Sequence, residues 1–299
     1  MTTLVEKRES VLSGLRASVP DGALAVAFSG GVDSTLLLAL AREALGPARV
    51  VAVTARSDSL AADELRGCRE LAGRIGVELR LLETRELERA GYRENSPDRC
   101  YHCKTELFEA ISRELLSRGE AVAVAYGATA DDVGDHRPGM RAAAEHGILA
   151  PLLDAGLSKA EIRALSQELG LPTWDKPAQP CLASRIPYGE PVSAEKLGRI
   201  DRAEALLHAL GVREGRVRHH GEGRGLIARV EVPLAELPRL VEEPVRSRLA
   251  AGLRELGFAY VVLDLEGFRT GRQNEVLAAA AEPSVVRRLP VAGVEGSRG

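Results

Sequence analysis

The segment PAQPCLASRIPYG, Pro177 to Gly189, sets one cysteine in a proline-flanked polar loop, with Ser184 and Arg185 shortly after Cys181. A cysteine so placed can work as a thiolate, because a nearby guanidinium favours the charged sulfur and a hydroxyl can hydrogen-bond it or a developing oxyanion. The competing reading of a lone cysteine is a small buried hydrophobe. A second chemical stretch is FSGGVDST, Phe28 to Thr35. A glycine loop between strand and helix aims backbone N–H groups and a helix N-terminus at one point, which suits a phosphate group. The loop has neither the lysine of a Walker motif nor the G-x-G-x-x-G spacing of a dinucleotide site.

CYHCK, with Cys100, His102 and Cys103, has the spacing of half a zinc or redox site, and no second C-x-x-C completes it. The thioredoxin-type context, in which such a pair opens a helix just after a strand, is not evident in the sequence. Arg216, Arg218, His219, His220 and Arg224 gather in GRVRHHGEGRG, and Arg269 and Arg272 follow in GFRTGRQNE. Alternation along a strand puts Arg216 and Arg218 on one face, either as a solvated charged face or as an anion site.

These residues need elements to position them. ALAVAF (Ala23 to Phe28) reads as a buried parallel strand leading into the glycine loop and the helical run TLLLALAREALG. Further strands are expected at Arg49 to Ala55, Val77 to Leu82 and Ala121 to Thr129, with AADELRGCRELAGRIG as a helix between. Alternating strands and helices imply an α/β fold, a parallel sheet flanked by helices with ligands at the C-terminal strand ends. Ser158 and Glu161 form a capping-box pattern that opens a helix ending at Gly170. Beyond the Cys181 loop, SAEKLGRIDRAEALLHALG reads as a helix, GLIARVEV and YVVLDLEGF as strands, and VRSRLAAGLRELG as a helix between them. The expected division is an α/β domain over 1–191, a smaller α+β domain over 192–281 and a flexible tail over 282–299.

The chain of 299 residues is 45% hydrophobic, enough for a substantial core. Its four cysteines, Cys68, Cys100, Cys103 and Cys181, are too irregular for a disulfide framework, and Cys68 sits at helical spacing as a packed thiol. A net charge of −3 and 3% aromatics argue against nucleic acid as a partner. No apolar run is long enough for a membrane span, and MTTLVEKRES has acidic residues and no apolar signal core, so a cytoplasmic protein is expected.

Position by position, Ser29, Gly30, Gly31, Val32, Asp33 and Ser34 resemble the S-G-G-x-D-S loop of the PP-loop ATP pyrophosphatases, which have the adenine nucleotide alpha hydrolase-like fold. That resemblance implies ATP bound through its β,γ-pyrophosphate while a substrate oxygen attacks the α-phosphorus. Mg2+ would accompany the triphosphate, with Asp33, Asp131 and Asp132 as candidate ligands.

Four more segments sharpen the likeness: ENSPDRCYHCKTELF (Glu94 to Phe108), GATADDVGDHRPGMRAAAEHGILAPL (Gly127 to Leu152), LGLPTWDKPAQPCLASRIPYG (Leu169 to Gly189) and LDLEGFRTGRQNEVL (Leu263 to Leu277). Together they resemble the LarE family, ATP-dependent sacrificial sulfur transferases of nickel-pincer nucleotide synthesis. The resemblance implies adenylation of a carboxylate on a pyridinium mononucleotide, attack by Cys181, and elimination that leaves dehydroalanine at position 181. Catalytic roles fall on Cys181, Ser184 and Arg185, with the substrate phosphate at Arg216 and Arg218, in a homo-oligomer. Some relatives bind an iron–sulfur cluster through extra cysteines near this loop. No cysteine follows Cys181 here, which points to the sacrificial route, while Cys100 and Cys103 leave a cluster as the alternative. A tRNA thiolase and a non-catalytic nucleotide-binding regulator are the remaining readings.

Overall fold

The computed structural model describes residues 2–118, 122–133 and 138–269. Its first sheet holds four strands, β1 (Ala23–Ala27), β2 (Val50–Arg56), β3 (Glu78–Glu83) and β4 (Val122–Tyr126), all parallel in the order β3-β2-β1-β4. β1 is one of the two interior strands, and side chains alternate across it. Leu24 and Val26 enter one core with the helices Leu4–Ser18, Val32–Leu45 and Lys159–Glu168. Ala25 and Ala27 enter another with Phe108, Ile111, Leu115, Ala142 and Ala143. A strand buried on both faces has to be continuously apolar, which is why ALAVA reads as it does.

The Lys159–Glu168 helix opens on the expected capping box, Ser158 accepting from Glu161 N and Glu161 from Ser158 N. Thr3 and Glu6 form the same device at the start of Leu4–Ser18, a helix the sequence reading had not singled out. β4 stops at Tyr126 rather than Thr129, because the chain turns there: Ala128 N donates to Tyr126 O, and Thr129 caps the short turn Ala130–Asp132.

The second sheet contains β5 (Arg216–His220), β6 (Ile227–Glu231) and β7 (Tyr260–Leu263), in the order β5-β6-β7 with β5 antiparallel and β7 parallel to β6. Helices Ala194–Ala209 and Val245–Glu255 pack Ala203, Leu207, Leu249 and Leu253 against Val217, Ala228 and Val230 to make its core. β7 is shorter than the expected Tyr260 to Phe268, because after Asp264 the chain enters a turn in which Glu266 N donates to Asp264 Oδ1 and Gly267 has φ +70°.

The C-x-x-C lacks the full thioredoxin-type context, as the sequence suggests. Cys100 and Cys103 do open a helix, Arg99–Ser117, although a short helix Ala90–Arg93 precedes it rather than a strand. Residues to Phe268 form one compact unit and those from Arg269 a second. Arg272, the end of the expected 192–281 domain and the stretch 282–299 lie outside the described residues. Among the described residues, no helix is long and apolar enough to cross a membrane.

Candidate active site

The glycine loop connects β1 to the helix Val32–Leu45. Gly30 has φ +66°, a conformation that suits glycine, and a Cβ there would meet Cys68 Sγ at 3.0 Å. That contact gives Cys68 its role as a fully buried packed thiol. Gly127, just after β4, comes so near that a Cβ would lie 2.9 Å from Ser34 N. Gly31 stands at the N-cap position and contributes no side-chain cap, so the first N–H groups of the helix are left for a ligand. Ser34 Oγ lies 3.2 Å from both Ser29 Oγ and Gly31 O and fixes the curl of the loop.

Two lysines close on this loop. Lys159 Nζ lies 2.6 Å from Asp33 Oδ1, and Lys176 Nζ donates to Gly30 O at 3.1 Å and to Glu64 Oε2 at 2.7 Å. Neither was singled out from sequence. The signals were there: Lys159 follows the N-cap of its helix, and Lys176 sits in the WDKPA stretch upstream of Cys181. Of the three expected magnesium ligands, Asp131 accepts from Lys159 N and Asp132 from Thr129 N, so both carboxylates cap backbone. Asp33, in the glycine loop, pairs through both carboxylate oxygens with Lys159 Nζ, a partner that a bound cation would displace. Mg2+ bound to a triphosphate needs only one or two protein carboxylates, so this donor set fits it.

Cys181 is half-buried and starts the short 3-10 turn Leu182–Arg185. Leu182 N donates to Ser59 O at 3.0 Å, which pins the turn next to the end of β2. Arg185 is not a guanidinium left free for the Cys181 sulfur, as its place in the loop suggested. It is 2% exposed, forms a two-point pair with Glu204 at 2.8 Å on each arm, and donates from Nη1 to Pro180 O, Cys181 O and Ser184 Oγ. A guanidinium used on all sides braces the cysteine turn from below. Ser184 accordingly accepts from Arg185, and its carbonyl accepts from Arg218 Nη1 at 2.7 Å.

Arg216 and Arg218 do share a face, but it is buried, which removes the solvated-face reading. Arg218 pairs through Nε and Nη2 with Glu231, itself fully buried. Among the described residues Arg216 has no such ion pair: it donates to Gly215 O and Ala178 O, both at 2.8 Å, and lies 4.9 Å from the Phe268 ring centre. Burial, then the charges of Arg185 and Arg218, lower its pKa to about 10. A buried cation left with neutral acceptors attracts an anion.

The structure also brings Cys100 and Cys103 toward Cys181. Cys103 and Cys181 pack against one cluster with Tyr92, Leu182 and Ile186. Desolvation, then the charge of Cys181, pushes both the Cys100 and Cys103 thiols up. Among the described residues, no three His, Cys, Asp or Glu side chains are arranged to hold a metal ion.

Residues 8–112 match the asparagine synthase family, a stretch that takes in the glycine loop and β1 to β3. An uncharacterised protein of Synechocystis is 43% identical over 252 residues, covering 84% of this chain and 92% of its own. The pyridinium-3,5-bisthiocarboxylic acid mononucleotide synthase of Lactiplantibacillus plantarum is 35% identical over 280 residues, covering 94% of this chain and 98% of its own. The chain belongs to the LarE family. It is an enzyme built on the ATP-using PP-loop domain. An uncharacterised protein of Methanocaldococcus jannaschii is 24% identical over 266 residues, covering 89% of this chain and 98% of its own.

Proposed function

We propose that this LarE-family enzyme adenylates a carboxylate of a pyridinium mononucleotide and converts it to a thiocarboxylate, with Cys181 as the source of sulfur. One observation carries the reading beyond the family: Lys176 Nζ reaches Gly30 O at 3.1 Å, five residues before Cys181, so the phosphate loop and the cysteine loop are tied together. Residues 1–191 would cleave ATP, and residues 192–281 would complete the substrate site and the contacts of a cytoplasmic homo-oligomer.

The residues divide the work. The helix N-terminus behind Ser29 to Ser34, with Lys159 and Lys176, takes the charge of the β,γ-phosphates. Asp33 would hold Mg2+, which screens that charge. A substrate carboxylate oxygen attacks the α-phosphorus and pyrophosphate leaves, so the carboxylate becomes a mixed anhydride with AMP. The Cys181 thiolate attacks its carbonyl carbon, the new C–S bond forms, and AMP departs with the electron pair. Loss of the Cα proton of residue 181 to a base then breaks the Cβ–S bond, the sulfur keeps the pair as thiocarboxylate, and dehydroalanine remains. Arg216 and Arg218 hold the substrate's anionic groups, with Arg216 the stronger candidate because no carboxylate among the described residues forms an ion pair with it.

The test is to make the enzyme with heavy-isotope cysteine sulfur and supply unlabelled sulfide, ATP, Mg2+ and the carboxylated pyridinium mononucleotide. The sacrificial route puts heavy sulfur in the product, at no more than one atom per chain. The second reading is an iron–sulfur cluster on Cys100, Cys103 and Cys181 that takes up external sulfide: Cys103 and Cys181 pack against one cluster, but no three such side chains among the described residues are arranged to hold a metal ion. It requires unlabelled product and repeated turnovers.

A further inference from the structure

Among the described residues, two buried donor atoms near Cys181, Arg99 Nε and the Tyr92 hydroxyl, make no hydrogen bond. Arg99 is 3% exposed, its Nε makes no hydrogen bond, its Nη1 donates to Asn95 Oδ1 and, at 2.9 Å, to Ala183 O, and its guanidinium also approaches the Cys100 thiol. No carboxylate among the described residues pairs with it. Tyr92 is fully buried in the cluster against which Cys181 packs, and its hydroxyl has no hydrogen-bond partner. Ser59 is near and donates to Glu86 Oε1 at 2.8 Å, yet its oxygen forms no hydrogen bond with the Tyr92 hydroxyl. A buried unpaired N–H or O–H costs about 1–3 kcal/mol, so two together beside one half-buried thiol call for a ligand that completes them.

We infer that Arg99 Nε–H and Tyr92 O–H are the donors that hold the Cys181 sulfur whenever it is negatively charged. The assignment replaces Arg185, whose guanidinium is engaged by Glu204 and the loop carbonyls. Electrostatics agrees with the placement: of the neighbouring charges, Cys181 is the largest that raises the Arg99 pKa, and it also heads those that raise Tyr92 after burial. Arg99 also acts on the backbone of the same turn through Ala183 O, so it holds the turn and the sulfur at once. In the proposed reaction, on which this inference rests, sulfur carries charge twice, as attacking thiolate and as departing thiocarboxylate. One pair of fixed donors serves both moments, and neither donor is consumed.

The test reads Cys181 alone, without ATP or substrate. Anaerobically purified full-length protein is treated with iodoacetamide at pH 7, and alkylation of each cysteine peptide is timed by mass spectrometry for wild type, Arg99→Gln, Arg99→Lys and Tyr92→Phe. Cys181 should react about tenfold more slowly in Arg99→Gln, about two- to threefold more slowly in Tyr92→Phe, and at an intermediate rate in Arg99→Lys. Cys68, fully buried, reports unfolding by becoming reactive, and in that event Arg99→Lys and Tyr92→Phe decide the matter. Unchanged Cys181 rates in folded variants, or an effect confined to Cys100, overturn the assignment. A chain that shows the Arg99 effect yet keeps its Cys181 sulfur through turnover would instead overturn the sacrificial reading.

Discussion

At the scale of single residues, the arginines near Cys181 separate by what their guanidinium groups already touch. Arg185 is paired on two arms with Glu204, which also accepts from Val217 N at 3.0 Å. Breaking a buried pair from one side leaves an uncompensated charge, so Glu204→Gln should lower stability by about 3–5 kcal/mol in urea unfolding. A loss below about 1 kcal/mol would show that the brace is not rigid. Arg216, by contrast, has only carbonyl acceptors and an aromatic face. Arg216→Ala should raise KM for the mononucleotide about tenfold or more while ATP affinity stays within about twofold, because removing a charged hydrogen bond costs about 1.5–3 kcal/mol. Equal losses for both substrates would contradict that division. Sequence alone could not sort these arginines: their types and spacing are plain, but which carboxylate neutralises each depends on Glu204 and Glu231, residues that nothing in the pattern marks.

At the scale of elements, β5 carries a titration into the fold. His219 is buried, and its Nε2 lies 3.2 Å from Arg199 Nη1, which can only donate, so Nε2 is the unprotonated nitrogen and the ring is neutral. Burial, followed by the charges of Lys196 and Arg199, lowers its pKa from 6.5 to about 4. Between those values the unfolded chain binds a proton that the folded chain refuses, so stability falls as pH drops from 6.5 toward 4. His219→Gln should flatten that part of a pH series of urea midpoints, and an unchanged slope would remove His219 from the acid response. The parallel strands and the capped helix Lys159–Glu168 were legible because apolar runs and the Ser158/Glu161 box are local signals. The helix Arg99–Ser117 was not: its start has no side-chain cap at Asp98, and its first turn, RCYHCK, has a mixed polar pattern. That miss mattered, since this turn sets Arg99, Cys100 and Cys103 beside the cysteine loop.

At the scale of the whole molecule, three cores and two sheets lie within the unit that ends at Phe268, and the cluster around Tyr92, Leu182 and Ile200 adds a fourth packing centre. Motif spacing gave the loops that do chemistry, and family likeness gave their order of use. Long-range pairing supplied the rest: Lys176 with Gly30 is separated by 146 residues and Arg99 with Ala183 by 84, distances over which no periodicity operates. The connection between glycine loop and cysteine loop is therefore a property of the fold, and the central claim rests on it. The most direct measurement is the mass of the Cys181 peptide before and after one turnover with ATP, Mg2+ and the carboxylated pyridinium mononucleotide. The account predicts a loss of about 34 Da, the mass of hydrogen sulfide, confined to Cys181 and matched to the thiocarboxylate formed. Thiolated product alongside a Cys181 peptide of unchanged mass would contradict it.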